Sequence, residues 1–283
     1  MKPKLVLITE SLDYHEREET SRSQAMHEYV TPAFLQRSNH TFDVVDHKVA
    51  EAEFFLRKLY GTSIGFEFNC FLSAYLSSAR TITLALQRFS DIPGFSNWYK
   101  PHQEALKANP VAKMFLELRN DHLHGGMYPV SGSSGQSDRS TFFLRGADRN
   151  HDVDDLAVAA REHFISLLSV VHDCYVALGV HIDPQQYFTA ENFAKLGRGI
   201  ADAEVEAWGW VCLSPDGEEW NDDEEDDRWY ELRSHVDECQ INYLFCSYLG
   251  KTTPQPKLPD YLEEIQPSAE DRGWNHIPAG PSL

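Results

Sequence analysis

The sequence predicts a mainly α protein: an antiparallel four-helix bundle with a small N-terminal appendage and an acidic α/β extension toward its C-terminal end. Three observations carry that expectation. Phe68, Leu72, Tyr75, Ala79, Ile82, Leu86 and Phe89 follow one another in alternating steps of four and three, the spacing of a helix face buried in a bundle. A second long series, in repeating steps of four, four and three, runs through Leu156, Ala160, Phe164, Leu167, Val171, Tyr175 and Leu178. With 42% hydrophobic and 12% aromatic residues among 283, the chain has enough apolar surface for a real core. The expected segments are 1–45 for the appendage, 46–180 for the bundle, 181–250 for the extension and 251–283 for a proline-rich tail.

Taken in order, Lys4 to Thr9 can form a short strand, and the polar stretch after it carries little pattern. A helix is expected from about Asp46, with Val49, Phe54 or Phe55, and Leu59 on one face, ending before Gly61. The helix over 66–89 is broken by Asp91, Pro93 and Gly94, and FSNWYKP is expected to be an aromatic loop leading to a helical piece at His102 to Ala108. Pro110 suits a first helical turn, where its missing N–H has no partner to lose. The next helix places Val111, Met114, Phe115 and Leu118 on one side and stops at Gly125-Gly126. PVSGSSGQSDRS then reads as a loop, with TFFLR returning as a short strand. Asp152 or Asp154 starts the last bundle helix, which should end at Gly179. Beyond it, VEAWGWVCL has strand-like content, DGEEWNDDEEDD is an acidic run, Trp229 to Leu249 looks helical, and the tail holds six prolines.

Charge narrows the function classes. Residues 1–200 carry 20 basic and 24 acidic side chains and residues 201–283 carry 5 and 20, so −15 of the formal −19 belongs to the last third. A chain that wraps nucleic acid with a uniformly basic surface is excluded, whereas a local basic site is not. The five cysteines are odd in number and contain no CxxC pair, which signals neither a disulfide framework nor a thiolate zinc site. No continuous apolar run approaches the roughly 18 residues of a membrane span, and Leu5 to Ile8 is too short for a signal-peptide core. These features lead us to expect a reduced, cytoplasmic protein with no membrane partner.

FLELRNDHLHGG is the segment with chemistry. Arg119 precedes Asn120, Asp121, His122 and His124 at the end of a predicted helix. A guanidinium forks onto phosphate oxygens, an asparagine orients a hydroxyl, and a histidine exchanges protons near neutral pH. Metal-free RNA cleavage needs those abilities: the ribose 2'-hydroxyl already sits beside the phosphodiester and must be aligned, deprotonated and balanced by protonation of the leaving oxygen. A histidine in a last helical turn is also favoured in its charged form.

The Arg-polar-x-x-x-His stretch RNDHLH on the third core helix resembles the HEPN domain superfamily. The helix FEFNCFLSAYLSSARTITLALQ and the connection YKPHQEALKANPVAKMFLELRN are similar to its bacterial members, over roughly residues 45–180. The resemblance implies an all-helical HEPN-like bundle, a homodimer that pairs two motif helices, and a metal-independent endoribonuclease of toxin-antitoxin or antiviral defence systems. It further implies an RNA substrate, a neutralising or regulatory protein partner, and no cofactor or metal. By position, Arg119, Asn120 and His124 match the motif, whereas His122 does not. The bland alternative is a non-catalytic module that binds RNA, a nucleotide or a protein.

Other residues are accessory candidates. Asp121 can pair with Arg119, and Glu67, Asn69 and Arg80 are either partners of Arg119 or polar residues of the bundle surface. His122 and His124 with Asp121 lack a third helix-face donor for a metal. Trp98, Tyr99 and Lys100 offer either a base-stacking platform or loop packing. The acidic run 216–227 is a solvated loop, or else a segment that mimics a nucleic-acid backbone over a basic cleft or binds a basic partner.

Overall fold

The computed structural model describes residues 42–125, 130–134, 140–144, 153, 155–213 and 222–256, with backbone only at 122–125, 131–134, 144 and 222–223. The predicted strand at Lys4 to Thr9, the acidic residues 216–221 and the tail beyond 256 lie outside the described residues. Within them the chain is mainly helical.

Helix α1 (Asp43–Gly61) starts three residues earlier than expected because Phe42, buried at its entry, stacks on Phe89 and Tyr175. Its buried face is Val45, Val49, Ala52, Leu56 and Leu59, while Phe54 points to solvent. α2 (Gly65–Leu86) and a 3-10 turn (Gln87–Phe89) bury all seven residues of the four-three series. α1 and α2 pack along their length as a hairpin.

The aromatic stretch expected as a loop is instead the start of α3 (Phe95–Ala108), with Pro101 inside it. Gly94, at φ +88°, turns the chain in the left-handed conformation that glycine tolerates, and Phe95 and Tyr99, one turn apart, stack at 5.2 Å on the core side. That burial outweighs the hydrogen bond Pro101 withholds. α4 (Pro110–Gly125) is capped by the Asn109 side chain, which accepts from the N–H groups of Val111 and Ala112. It buries Met114, Phe115 and Leu118 as expected.

The glycine- and serine-rich stretch contributes β1 (Val130–Ser134), which pairs antiparallel with β2 (Thr141–Leu144). Phe142 of β2 is buried and stacks on Phe68 at 4.0 Å, which pins the hairpin to α2.

α5 (Leu156–Ile182) is capped by Asp155 rather than Asp152 or Asp154, both outside the described residues. It runs through Gly179 instead of stopping there. The reason is packing: the Gln186 amide lies where a β-carbon at 179 would stand, so glycine serves close approach and not termination. Among the described residues, α5 is the helix long and apolar enough to cross a membrane, although no uninterrupted apolar run marks it; its apolar face is buried inside the protein.

α1, α2, α4 and α5 share one core, to which Ile241, Leu244 and Phe245 from the C-terminal part also belong. A second, smaller core of Tyr187, Phe188, Phe193, Ile200, Ala203, Ala207, Trp229 and Leu232 joins short helices α6 (Pro184–Tyr187), α7 (Ala190–Lys195), α8 (Ile200–Trp208) and α9 (Asp222–Ser234).

The described extension is therefore helical, not α/β. VEAWGWVCL was expected to be a strand, yet buried Ile200, Ala203, Glu204 and Ala207 give it a helical period, and left-handed Gly209 ends the helix. Likewise 222–227 begins α9 rather than continuing a loop. The helix expected over 229–249 stops at Ser234 and resumes as α10 (Asn242–Leu244) with a π-helical turn (Phe245–Leu249), because the intervening backbone bonds to the bundle.

Candidate functional site

α4 is held rigidly where the motif begins. The Phe115 ring stacks on buried His163 at 4.8 Å and meets Tyr75 edge-on at 5.8 Å. One turn later on α4, Arg119 sits half-buried. Its Nη1 donates to the Asn120 side-chain oxygen at 3.1 Å. Its Nε is buried and has no hydrogen-bond partner, so the fork keeps an unmet donor. Asn120 is exposed and Asp121 is half-buried.

The backbone stays helical through Gly125, so the last turn does not unwind. Positions 119 and 124 therefore differ by about 140° around one regular helix. The side chains of His122 and His124 lie outside the described residues.

None of Glu67, Asn69 and Arg80 pairs with Arg119; each serves α2. Glu67 accepts from the Thr62 hydroxyl at 2.8 Å, and that hydroxyl accepts from the Ile64 N–H. Arg80 donates to Thr83 Oγ1 at 2.8 Å. The Asn69 amide donates to the Gly65 carbonyl, leaving its own oxygen buried and unbonded. Of the aromatic platform, Tyr99 is buried and stacks on Phe95, whereas Trp98 is half-buried against the core and His102, and Lys100 is exposed.

Two sites escaped the sequence. A cleft of about 380 Å³ lies between the end of α1 and the start of α2, lined by Phe54, Arg57, Lys58, Gly61, Thr62, Glu67 and Phe71. Arg57 bonds Glu53 at 2.9 Å, and the Lys58 ammonium lies 5.3 Å from the Phe54 ring centre. The adjacent cations ahead of Gly61 were the available signal. Arg119 is not part of this cleft.

No family model, curated protein or solved structure matches the chain.

The second site is a buried polar centre. Asp46 accepts from the Tyr175 hydroxyl at 2.9 Å and from the Gln240 N–H at 2.7 Å. Burial pushes its carboxyl up to about 7. Asp183 nearby, which caps α6 by accepting from the Gln185 N–H, is pushed up to about 6, again by burial. Burial has the opposite effect on a base, lowering His163 to about 4. His163 meets the Tyr75 hydroxyl at 3.0 Å through Nδ1, while that hydroxyl donates to the Ala160 carbonyl. These groups tie elements together deep in the core. Nothing in their sequence neighbourhood announces them, because Tyr175 and Gln240 are 129 and 194 residues away from Asp46.

Proposed function

We propose that α1, α2, α4 and α5 form an antiparallel, HEPN-like four-helix bundle acting as a metal-independent endoribonuclease in the cytoplasm. The observation that carries this reading is the Arg119–Asn120 pair on α4, with the guanidinium's Nε left without a partner. The guanidinium, bonded only through Nη1 to its neighbour Asn120, is the group that would meet a phosphate oxygen as charge builds on the phosphorane. Asn120, exposed beside it, would orient the ribose 2'-hydroxyl. His124 would exchange the proton as general acid or base.

Because positions 119 and 124 diverge on a regular helix, a two-fold dimer would bring Arg119 of one copy toward His124 of its partner. Such a protein would act as a toxin or antiviral effector held in check by a regulatory protein.

A specific observation favours a second reading, non-catalytic binding. The α1–α2 cleft sets Lys58 and the Glu53-paired Arg57 beside the Phe54 and Phe71 rings, with Glu67 on its wall, in about 380 Å³, room for a small polar ligand.

One experiment separates them. Purified protein is incubated with single-stranded RNA in EDTA, beside Arg119→Ala, Arg119→Lys and His124→Ala variants whose melting matches wild type. The endonuclease reading expects cleavage that falls at least about a hundredfold in each variant. Absent cleavage, or cleavage surviving in both alanine variants, rejects it.

A further inference from the structure

The small C-terminal core buries most of its apolar residues, but one stretch turns them to solvent. Trp210, Val211 and Leu213 are 54%, 36% and 82% exposed. Trp210 stacks on Trp208 at 5.1 Å, so the two indoles form one continuous face.

This stretch is anchored, not loose. The Cys212 N–H donates to Glu204 at 2.8 Å. Glu204 is completely buried and takes both arms of the Arg228 fork, at 2.8 and 2.6 Å. Arg228 lies on α9, one turn beyond Glu224 and Glu225. Its pKa is raised chiefly by the Glu204 hydrogen bond, with lesser contributions from Glu204's charge, Cys212 and Glu225. One Glu204 oxygen takes both the Cys212 N–H and Arg228 Nη2, and Glu225 stands one turn before Arg228 on the same helix. A buried ion pair is a costly way to fix a surface segment, because both charges must leave water. Here it ties the segment that carries the exposed indole to the helix that carries the exposed acids Glu224 to Asp227.

The charge selects the occupant. Residues 222–227 are six consecutive acids within a region of balance −15. RNA and anionic lipid are repelled there, and so is the same face of a second copy. Single exposed apolar residues need no explanation, but a contiguous indole face rimmed by charge marks an interaction surface.

We propose that Trp210, Val211 and Leu213, together with the acidic first turns of α9, form a docking surface for a basic, amphipathic segment of another protein. The partner's large apolar side chains would cover the indole face, and its lysines or arginines would meet Glu225 and Asp226. This surface stands independently of the ribonuclease reading.

The probe is a fluorescein-labelled peptide of lysines with leucines at helical spacing, titrated against the full chain by fluorescence anisotropy. Binding should weaken at least about tenfold for Trp210→Ser/Leu213→Ser and again for Glu225→Lys/Asp226→Lys. All substituted positions are exposed; should one pair fail to fold, the other decides. The same peptide with serine for leucine, or glutamate for lysine, should bind at least about tenfold more weakly. No binding of the Lys/Leu peptide, affinity unchanged in the folded variants, or equal binding of the serine peptide overturns the proposal. Self-association lost in Trp210→Ser/Leu213→Ser would overturn it in favour of a copy-to-copy interface.

Discussion

The Asp46→Asn variant should be slightly less stable than wild type at about pH 4 and more stable at about pH 8. The carboxyl holds its proton up to about 7 in the folded protein, against 3.8 ordinarily. Between those values the native state binds a proton that the unfolded chain has released, so stability falls as pH rises. The slope is about 1.4 kcal/mol per pH unit and the full span about 4 kcal/mol, an upper figure. Asparagine has no proton to lose. It can accept from the Gln240 N–H with its oxygen and donate to the Tyr175 oxygen, at a cost of about 1 kcal/mol for imperfect geometry. The variant should therefore be more stable by about 2–3 kcal/mol at about pH 8.

His163 slopes the other way. The unfolded imidazole takes up a proton below 6.5 while the buried one waits until about 4, so stability is lost as pH falls through that range, by about 3 kcal/mol. The two effects oppose each other between about pH 4 and 6.5, where Asp183 adds a slope of Asp46's sign, so the wild-type curve alone separates none of them. The informative quantity is the difference between variant and wild type in urea unfolding, followed by circular dichroism across the series. A difference that does not grow with pH up to about 7, or a variant weaker than wild type at about pH 8, refutes the reasoning.

Replacing His163 with Phe keeps the stack on Phe115, leaves the Tyr75 hydroxyl its Ala160 carbonyl, and removes the titrating base. Its acid-unfolding midpoint should move to lower pH, with a gain approaching about 3 kcal/mol at about pH 4, and an unmoved midpoint counts against the assignment. Arg228→Met leaves the fully buried Glu204 without its cation and should cost about 3–5 kcal/mol by denaturant titration. Adding Glu204→Gln should restore more than half of that loss and is the control that separates an orphaned charge from lost packing.

What could be read from the sequence follows the range of the interaction. Every member of the two apolar series is buried, since a helix face is a local property of spacing. Readings failed where a distant contact overrode a local signal. Pro101 and the aromatic run read as a loop until Phe95 and Tyr99 are seen on the core. Gly179 reads as a stop until Gln186 is found lying over it. The strand-like content of 205–213 gave way to a helix because Ile200, Ala203 and Ala207, partly outside that window, bury one face. For the candidate site, Arg119 and Asn120 bond each other, whereas the supposed partners Glu67, Asn69 and Arg80 bond Thr62, the Gly65 carbonyl and Thr83, within α2 or just ahead of it.

The regularity that made the helices legible also restricts how the proposed site can work. Positions 119 and 124 of α4 are five apart, and the helix is unbroken between them. They are about 7.5 Å apart along the axis and about 140° apart around it. A phosphate gripped by both must then be met by Arg119 from one chain and His124 from another. Arg119→Ala and His124→Ala chains, each inactive, should consequently rescue one another when mixed. Half of the randomly formed dimers are mixed, and each has one complete site of two. Cleavage should therefore recover to about a quarter of wild type for a two-fold dimer. Dilution below the dimer's dissociation constant should remove the recovered activity. Robust wild-type cleavage with no recovery on mixing would show that Arg119 and His124 act within one chain, and the two-fold arrangement would fall while the chemistry stood.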